Sequence, residues 1–301
     1  MIILKIIGII IGLGLLWLLA FYIYFRKQVK KSIIMESLDL SLPKSWKELS
    51  EKQFLYVCNL MLNENTPTEI HTKCFIYFAG ITVLEHINSG IWVCLHEKKR
   101  FTISDYEVQY FAKNLSFLTE TITEVTPLSE IAGYKHIHPR FEGCPFKQWM
   151  AAENYYQAYI YTRDDVFLDK LCAVIYSVDN PESDQSFDDR DTNKRSKKFK
   201  KVPLIQKLTV FVMYAGLKDR LTKEFPYFFQ KIDTKTNEVT DRQPPKMREH
   251  FSRMIYVLNG GNVGETEKVL NADCWRAFDT LNYKAYENQE MEQRLKKMNK
   301  K

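Results

Sequence analysis

The chain has 301 residues, a formal net charge of +6, 45% hydrophobic residues and 14% aromatic residues. This content of core-forming residues argues against disorder over most of the chain. The first 34 residues carry five cations and no acid, which leaves a net charge of +1 for residues 35–301. A broadly basic surface is therefore not indicated, and we expect no nucleic-acid partner.

The N-terminal segment gives the strongest signal in the sequence. Residues Ile6–Phe25 include no charged residue, Asn, Gln or Pro, and as a helix they would be about 30 Å long, the thickness of the hydrocarbon core of a bilayer. Trp17 and two tyrosines lie toward the C-terminal end of the run, where aromatic rings favour the membrane interface. The run ends in bulky residues rather than in a small-residue cleavage motif, so it predicts an uncleaved, single-pass transmembrane helix.

The charges beside this helix predict its orientation. Lys5 stands alone before it, and four cations follow it: Arg26, Lys27, Lys30 and Lys31. The positive-inside rule then places the C-terminal domain on the cytoplasmic side of the inner membrane, with the lipid bilayer as a partner. Residues 1–34 are thus interpreted as a membrane anchor with a basic flank.

Two alternatives concern the same segment. Gly8 and Gly12 form a small-xxx-small pair, which would let two such helices pack closely as a homodimer. Met35 offers a second start for translation. A chain that begins there would be cytosolic and would lack the anchor. Both alternatives stay open at this point.

Helix-start signals recur in the next part of the chain. The motifs Ser50-x-x-Gln53 and Ser104-x-x-Glu107 match the capping box, in which two side chains satisfy the free N–H groups of a helix start. An apolar, periodic run over residues 67–87 predicts a further helix between them. Three helices are therefore expected here.

Strand signals in this part of the chain are few. Residues 91–103 read as a strand, a charged turn and a second strand, and residues 119–143, with two prolines and two glycines, read as irregular or hairpin-like. We expect at most one small sheet, near residues 91–103 and 125–137. Residues 35–143 are thus predicted to form an α-rich subdomain with small β-hairpins.

Residues 144–301 are predicted to form a second, helical subdomain. The segment that begins at Pro145 reads as a helical hairpin, and residues 204–229 read as a strongly apolar helix. Between them, residues 180–201 hold a run of acids followed by a run of cations, which predicts a mobile charged loop. The predicted fold class is therefore mainly α, built from helical hairpins, with a small β element.

The cysteines indicate a reducing compartment. None of them forms a C-x-x-C pair, and each has apolar or aromatic neighbours, so they read as reduced, buried thiols. This agrees with a cytoplasmic domain. The six are Cys58, Cys74, Cys94, Cys144, Cys172 and Cys274.

The segment from His136 to Cys144 holds the best candidates for chemistry. His136 and His138 alternate, so on a strand both imidazoles would point the same way and could bind one metal ion. A third ligand is needed, and His86, His96 or Cys144 could serve only if the fold brings one of them near. His136 and His138 are therefore weak metal candidates, and no cofactor is expected. Cys144 with His138 would resemble a thiolate–imidazole pair. No residue that would orient the imidazole is evident.

The cluster KRSKKFKK, residues 194–201, is the best electrostatic candidate. It would attract anionic lipid or RNA, although the acids between residues 179 and 191 reduce its long-range field. For a membrane-tethered protein, lipid is the more economical partner. A merely solvated loop is the simplest interpretation.

Three segments of the chain carry a resemblance to a group of proteins: SLPKSWKELSEKQFLYVCNLM, FKQWMAAENYYQAYIYTRDDVFLDKLCAVIY and VLNGGNVGETEKVLNADCWRAFDTLNYKAYEN. They resemble uncharacterised proteins of phages, prophages and mobile elements of Bacteroidetes, some of them similar in gene context to tail-assembly proteins. The motifs are helical patterns, so the resemblance implies no catalytic residue. It implies an assembly role with phage tail or assembly components as partners. The apolar N-terminal segment departs from that group.

The sequence therefore predicts a non-enzymatic interaction or assembly protein, membrane-anchored or prophage-derived, with no catalytic residue assigned. The alternative is a cytoplasm-facing enzyme of unrecognised type that uses the His136–Cys144 segment.

Overall fold

The structure, a computed structural model, describes residues 42–63, 65–120, 122, 125–178, 187–229 and 246–299. The helices in these residues are α1 (Glu51–Leu62), α2 (Pro67–Phe78), α3 (Asp105–Ala112), α4 (Phe146–Thr162), α5 (Asp165–Ile175), α6 (Asp189–Phe199), α7 (Leu204–Glu224), α8 (Met247–Leu258), α9 (Thr266–Asn271) and α10 (Cys274–Met298). The strands are β1 (Thr82–Ile87), β2 (Ile91–His96), β3 (Lys99–Ser104), β4 (Glu130–Ile131), β5 (Tyr134–His136) and β6 (Tyr176–Val178). Short 3₁₀ turns cover Trp46–Glu48, Lys113–Thr119 and Val263–Glu265.

The mainly helical fold class is confirmed, whereas the prediction of at most one sheet is wrong. The strands form two small antiparallel sheets, one of β1, β2 and β3 and one of β4, β5 and β6. The membrane anchor predicted for residues 1–34 and the alternative start at Met35 lie outside the described residues. Within the described residues, no helix combines the length and the apolar character needed to cross a bilayer.

The described chain divides into two compact units. The smaller one comprises residues 42, 43 and 71–115, and the larger one comprises residues 44–70 and 116–299. The larger unit thus includes residues on both sides of the boundary that the sequence predicted at residue 143.

The run over residues 67–87 is a helix followed by a strand, so the single helix predicted there is wrong. Gly80 adopts a φ of +62°, and its N–H donates to the Tyr77 carbonyl at 3.1 Å. The Ile81 N–H donates to the Ile76 carbonyl at 2.9 Å. These two bonds are the Schellman motif, which closes the last turn of α2 because glycine adopts the left-handed conformation without strain. Strand β1 begins directly after it.

A carboxylate holds the sheet of the smaller unit to the start of α3. The Ser104–Glu107 capping box opens this helix as predicted. Asp105, the first residue of α3, accepts hydrogen bonds from the Trp92 indole and from His86 Nε2, the latter at 3.0 Å. The hydrogen bond from Trp92, with that from His86, holds the pKa of Asp105 below its usual range.

In the larger unit, α4 and α5 form the predicted helical hairpin. Arg163 ends α4 in the left-handed conformation, with a φ of 55°, and only two residues separate the helices. Trp149 on α4 belongs to an aromatic cluster. Its ring stacks on Phe146 at 5.5 Å and meets the edge of Phe278 at 4.8 Å, so α4 packs against α10.

Residues 189–199 form a helix, α6, so the mobile loop predicted over residues 180–201 is wrong for this part; residues 180–186 lie outside the described residues. The Asp188 side chain caps the helix by accepting from the Arg190 N–H at 2.9 Å. On one face Thr192, Ser196 and Phe199 are buried. Their spacing of four and three residues is the period of an amphipathic helix. The buried face of α6 is thus small and mostly polar. For this reason the hydrophobic pattern of the sequence did not indicate a helix among the charged residues.

Candidate functional site

The two histidines that the sequence grouped as metal candidates lie in different local structures, because the strand ends at His136. His136 ends β5, its Nδ1 lies 2.6 Å from the Ile137 carbonyl, and its ring meets the edge of Tyr176. His138 lies in the following turn, half exposed, with Nε2 3.7 Å from Glu142. Within the described residues, no group of three or more His, Cys, Asp or Glu side chains is arranged to hold a metal ion.

Cys144 does not have the environment of a catalytic nucleophile. Its side chain is buried, and burial raises the pKa of the thiol to about 12, although a hydrogen bond from the His138 backbone acts in the opposite direction. A cysteine nucleophile needs a thiolate near neutral pH, which requires a lowered pKa. Burial thus acts against formation of the thiolate, and Cys144 contributes a small side chain to the core.

Hydrogen bonds connect the segment around Cys144 to the start of α10. The Cys144 carbonyl accepts from the Cys274 N–H at 2.9 Å, and the Cys274 thiol donates to the Phe141 carbonyl at 3.0 Å. Asp273 caps α10 with one carboxylate oxygen and accepts from the Gly143 N–H at 2.8 Å with the other. These contacts connect residues about 130 positions apart in sequence, so no local sequence pattern predicts them.

Two ion pairs, one buried and one partly buried, were not found by sequence reasoning. Lys207 on α7 donates to Asp169 on α5 at 2.8 Å, and both side chains are about 95% buried. Lys218, three turns further along α7, donates to Glu153 on α4 at 2.5 Å. Tyr214 also donates to Glu153, at 3.1 Å, and burial raises the pKa of this tyrosine. These groups satisfy one another inside the helical core, so we assign them a structural role.

Helix α6 presents a row of cations to solvent. Arg190, Lys194, Lys197 and Lys201 follow one another at intervals of four, three and four residues and are all exposed. This spacing places them on one face of the helix and its C-terminal turn, opposite the buried face. We call these four residues the basic stripe.

The charges along α6 are arranged in order, with acids first. Asp188, Asp189 and Asp191 lie at the start of the helix, and Arg190 pairs with Asp188 at 3.0 Å and Lys194 with Asp191 at 3.3 Å. The hydrogen bond from Arg190 holds the pKa of Asp188 below its usual range. Acids at the start and cations at the end complement the helix dipole. The positive potential is therefore concentrated at the C-terminal half of α6.

A shallow depression of about 430 Å³ lies beside this half of the helix. Three lysines contribute to its wall: Lys197, Lys198 and Lys201. Lys198 also lies over the ring of Tyr134, with its Nζ 4.6 Å from the ring centre. Ala132, Val202 and Pro203 also line the depression. The depression thus offers ammonium groups around a small apolar surface.

Comparison of the chain with protein-family models, with curated proteins and with solved structures gave no match. The chemistry of the described residues therefore carries the functional argument. Of the sequence candidates, His136, His138 and Cys144 are not brought together as a reaction centre. The cluster at residues 194–201 is retained, but as the ordered face of a helix. Such a face can bind anions by charge, without a chemical step.

Proposed function

We propose that this protein is a non-enzymatic interaction protein that works at a membrane surface and contacts anionic lipid head groups through α6. The observation that carries the proposal is the basic stripe: Arg190, Lys194, Lys197 and Lys201 on one solvent face of an ordered helix. A rigid row of cations loses less conformational freedom on meeting a charged surface than a mobile loop does.

The expected strength of this contact follows from membrane electrostatics. Each Lys or Arg close to an anionic leaflet contributes about 1 kcal/mol, and the attraction falls off over a Debye length of about 8 Å at physiological salt. Residues 188–201 hold seven cations and three acids. The contact is therefore weak by itself and gains strength from a second attachment to the same membrane.

The N-terminal segment supplies that second attachment in the proposal. Ile6–Phe25 would span the bilayer, and Arg26, Lys27, Lys30 and Lys31 would meet the cytoplasmic head groups. A tethered domain searches the membrane surface at high effective concentration, so even a weak basic face stays in contact. The anchor and the basic stripe would thus fix the orientation of the domain.

The test uses the full chain held in nanodiscs of neutral lipid and mixed with separate, larger vesicles. Vesicles rich in phosphatidylserine are expected to sediment the discs, vesicles of phosphatidylcholine are not, and added salt should release the discs. The variant K194E/K197E/K201E should lose the binding. K284E/K296E/K297E is the matched control, because it changes the charge equally at three exposed lysines on α10.

Three results would contradict this proposal. Equal binding to neutral and anionic vesicles would remove the electrostatic basis, and equal loss in both variants would show that only net charge matters. Binding of single-stranded RNA without binding of anionic vesicles would replace lipid by nucleic acid as the partner.

The resemblance to phage and mobile-element proteins adds a second element to the proposal. It implies phage tail or assembly components as the protein partners of the membrane-held domain. Tail and capsid genes flanking the coding sequence would support this part. A neighbourhood without such genes, together with no capture of tail components by the full chain, would remove it.

A further inference from the structure

The C-terminal end of α10 is exposed on every side. The buried residues of this helix lie near its start, at Cys274, Ala277, Phe278 and Leu281, whereas each of residues 291–298 is exposed. A helix end in water is expected to carry polar side chains on all its faces. Three residues depart from this expectation, because they are large, apolar and more than half exposed: Met291, Leu295 and Met298.

The three apolar residues lie on one side of the helix. They are separated by four and three residues, which is the spacing of the core positions in a two-stranded coiled coil. We call them the apolar stripe. A stripe of this kind lies at the contact when two helices pack side by side.

The charges beside the apolar stripe are divided along the helix. Three acids come first and three cations follow: Glu287, Glu290, Glu292, Arg294, Lys296 and Lys297. Ion pairs join Lys284 to Glu287 and Arg294 to Glu290 within the helix. Glu292, Lys296 and Lys297 form no ion pair among the described residues. Exposed pairs within one helix are weak, so these charges remain available to a second helix.

This division of charge determines the orientation of a second copy of α10. In a parallel pair, acids would face acids and cations would face cations, which is unfavourable. In an antiparallel pair centred near residue 293, the acidic half of each helix lies beside the basic half of the other. Four-residue spacing puts Glu290 and Arg294 on one flank of the stripe and Glu292 and Lys296 on the other. A two-fold axis brings equal flanks together, so opposite charges meet on both.

We propose that the apolar stripe binds the same stripe of a second copy of this chain, with the two α10 helices antiparallel. An anionic membrane is a poorer occupant, because Glu290 and Glu292 flank the stripe and would be repelled by the head groups. The contact is short, so the dimer is weak and forms chiefly where chains are concentrated, as in one membrane. It is independent of the proposed lipid contact, because it includes no residue of the basic stripe.

The test is cross-linking of the full chain in nanodiscs of neutral lipid that hold two chains each. The six native cysteines are buried, so a new cysteine on α10 reacts selectively with a short bismaleimide. Asn288→Cys and Asn299→Cys introduce thiols at exposed positions on one flank of the stripe. In the antiparallel pair, position 288 of one copy lies beside position 299 of the other, whereas equal positions are about 15 Å or more apart along the axis. The mixture of the two variants should therefore cross-link at least tenfold more than either variant alone.

Substitutions in both chains of the mixture test the stripe. Met291→Gln/Leu295→Gln should lower cross-linking at least fivefold, because it removes two apolar contacts and keeps good helix formers. Tyr106→Gln/Val263→Gln is the matched control, because it changes two exposed apolar residues outside α10. It should leave cross-linking unchanged. Circular dichroism of each variant checks that its fold is intact.

Charge reversal tests the antiparallel orientation. E290K/E292K makes the charges beside the stripe basic, and R294E/K296E makes them acidic, so each variant placed in both chains should lose the cross-link. One chain of each kind should regain it, because opposite charges then meet again. K284E/K296E/K297E should also lose the cross-link but keep its binding to anionic vesicles, and K194E/K197E/K201E should do the reverse.

Three results would overturn the proposal. Cross-linking of Asn288→Cys alone as strong as that of the mixture would indicate a parallel pair. Cross-linking that Met291→Gln/Leu295→Gln leaves unchanged would show that the chains meet without the stripe. Release of the discs from phosphatidylserine vesicles by Met291→Gln/Leu295→Gln, with the cross-link retained, would make lipid the occupant of the stripe.

Discussion

Helices α6 and α7 are neighbours in the sequence, and both carry lysines, but the lysines have opposite environments. On α7, Lys207 is buried and Lys218 is partly buried, and each pairs with an acid of another helix. On α6, Lys194 and Lys197 face solvent. The difference lies in the residues around them. The apolar helix α7 buries a lysine where a carboxylate of another helix pairs with it. The charged helix α6 packs through Thr192, Ser196 and Phe199 and leaves its cations exposed to solvent.

From this comparison we assign the paired lysines of α7 to the stability of the fold and the exposed lysines of α6 to binding. A buried cation is costly to remove because its partner stays behind without compensation. An exposed cation contributes little to the stability of the fold, and its charge remains available to attract other molecules. Substitutions can therefore test each assignment separately.

The largest effect is expected at Lys207. Lys207→Met leaves the Asp169 carboxylate buried without its cation, which should lower the free energy of unfolding by about 3–5 kcal/mol. Urea denaturation followed by circular dichroism measures the change. The double variant Asp169→Leu/Lys207→Met removes both charges and should recover most of the loss. A loss below about 1 kcal/mol in the single variant would mean that the pair is open to water.

An effect of similar size is expected at Phe199 on α6. Its ring is fully buried and stacks on Tyr134 with a centre-to-centre distance of 6.2 Å. Phe199→Ala should therefore cost about 3–5 kcal/mol. Phe199→Leu, which fills more of the space, should cost much less. If Phe199→Ala leaves the unfolding curve unchanged, residues 189–199 are the mobile loop that composition suggested.

A smaller effect is expected at Lys218, because Glu153 keeps its hydrogen bonds from Tyr214 and Gln157 when this lysine is removed. The Lys218 side chain is also 28% exposed, so water can replace it in part. We expect Lys218→Met to lower stability by about 1.5–3 kcal/mol. A loss equal to that of Lys207→Met would show that Tyr214 and Gln157 do not compensate.

The smallest effect is expected in the basic stripe. Lys197→Gln should change the free energy of unfolding by no more than about 0.5 kcal/mol, because the side chain is exposed and anchors nothing. The same denaturation assay measures this change. A loss comparable to that of Phe199→Ala would place the lysine in the core and contradict the division between the two helices.

Local side-chain chemistry was readable from the sequence. The capping boxes at Ser50 and Ser104 form as predicted, because each needs only residues three apart. The end of α2 was also signalled, by Gly80, but the apolar periodicity beyond it concealed the strand. The spacing of Thr192, Ser196 and Phe199 is consistent with one face of a helix. The prediction of a loop at α6 was instead based on composition, because charged residues dominate this stretch.

Long-range pairing was not readable in the same way. Cys144 was a candidate nucleophile because His138 is close in sequence, whereas in the structure its carbonyl accepts a hydrogen bond from the Cys274 N–H at the start of α10. No local pattern indicates that Lys207 is buried, because its acid lies 38 residues away in sequence, on α5. Such pairs depend on which helices meet, and that is decided by packing of the whole unit.

The most direct test of the central claim is residue-resolved lysine acetylation of the full chain in nanodiscs, read by mass spectrometry. In neutral lipid, Lys194, Lys197 and Lys201 should react readily, and Lys207 should stay unmodified because it is buried. In phosphatidylserine-rich discs, the three lysines of the basic stripe should become protected, while Lys284, Lys296 and Lys297 react as before. Equal labelling of Lys194, Lys197 and Lys201 in both lipids would contradict the account.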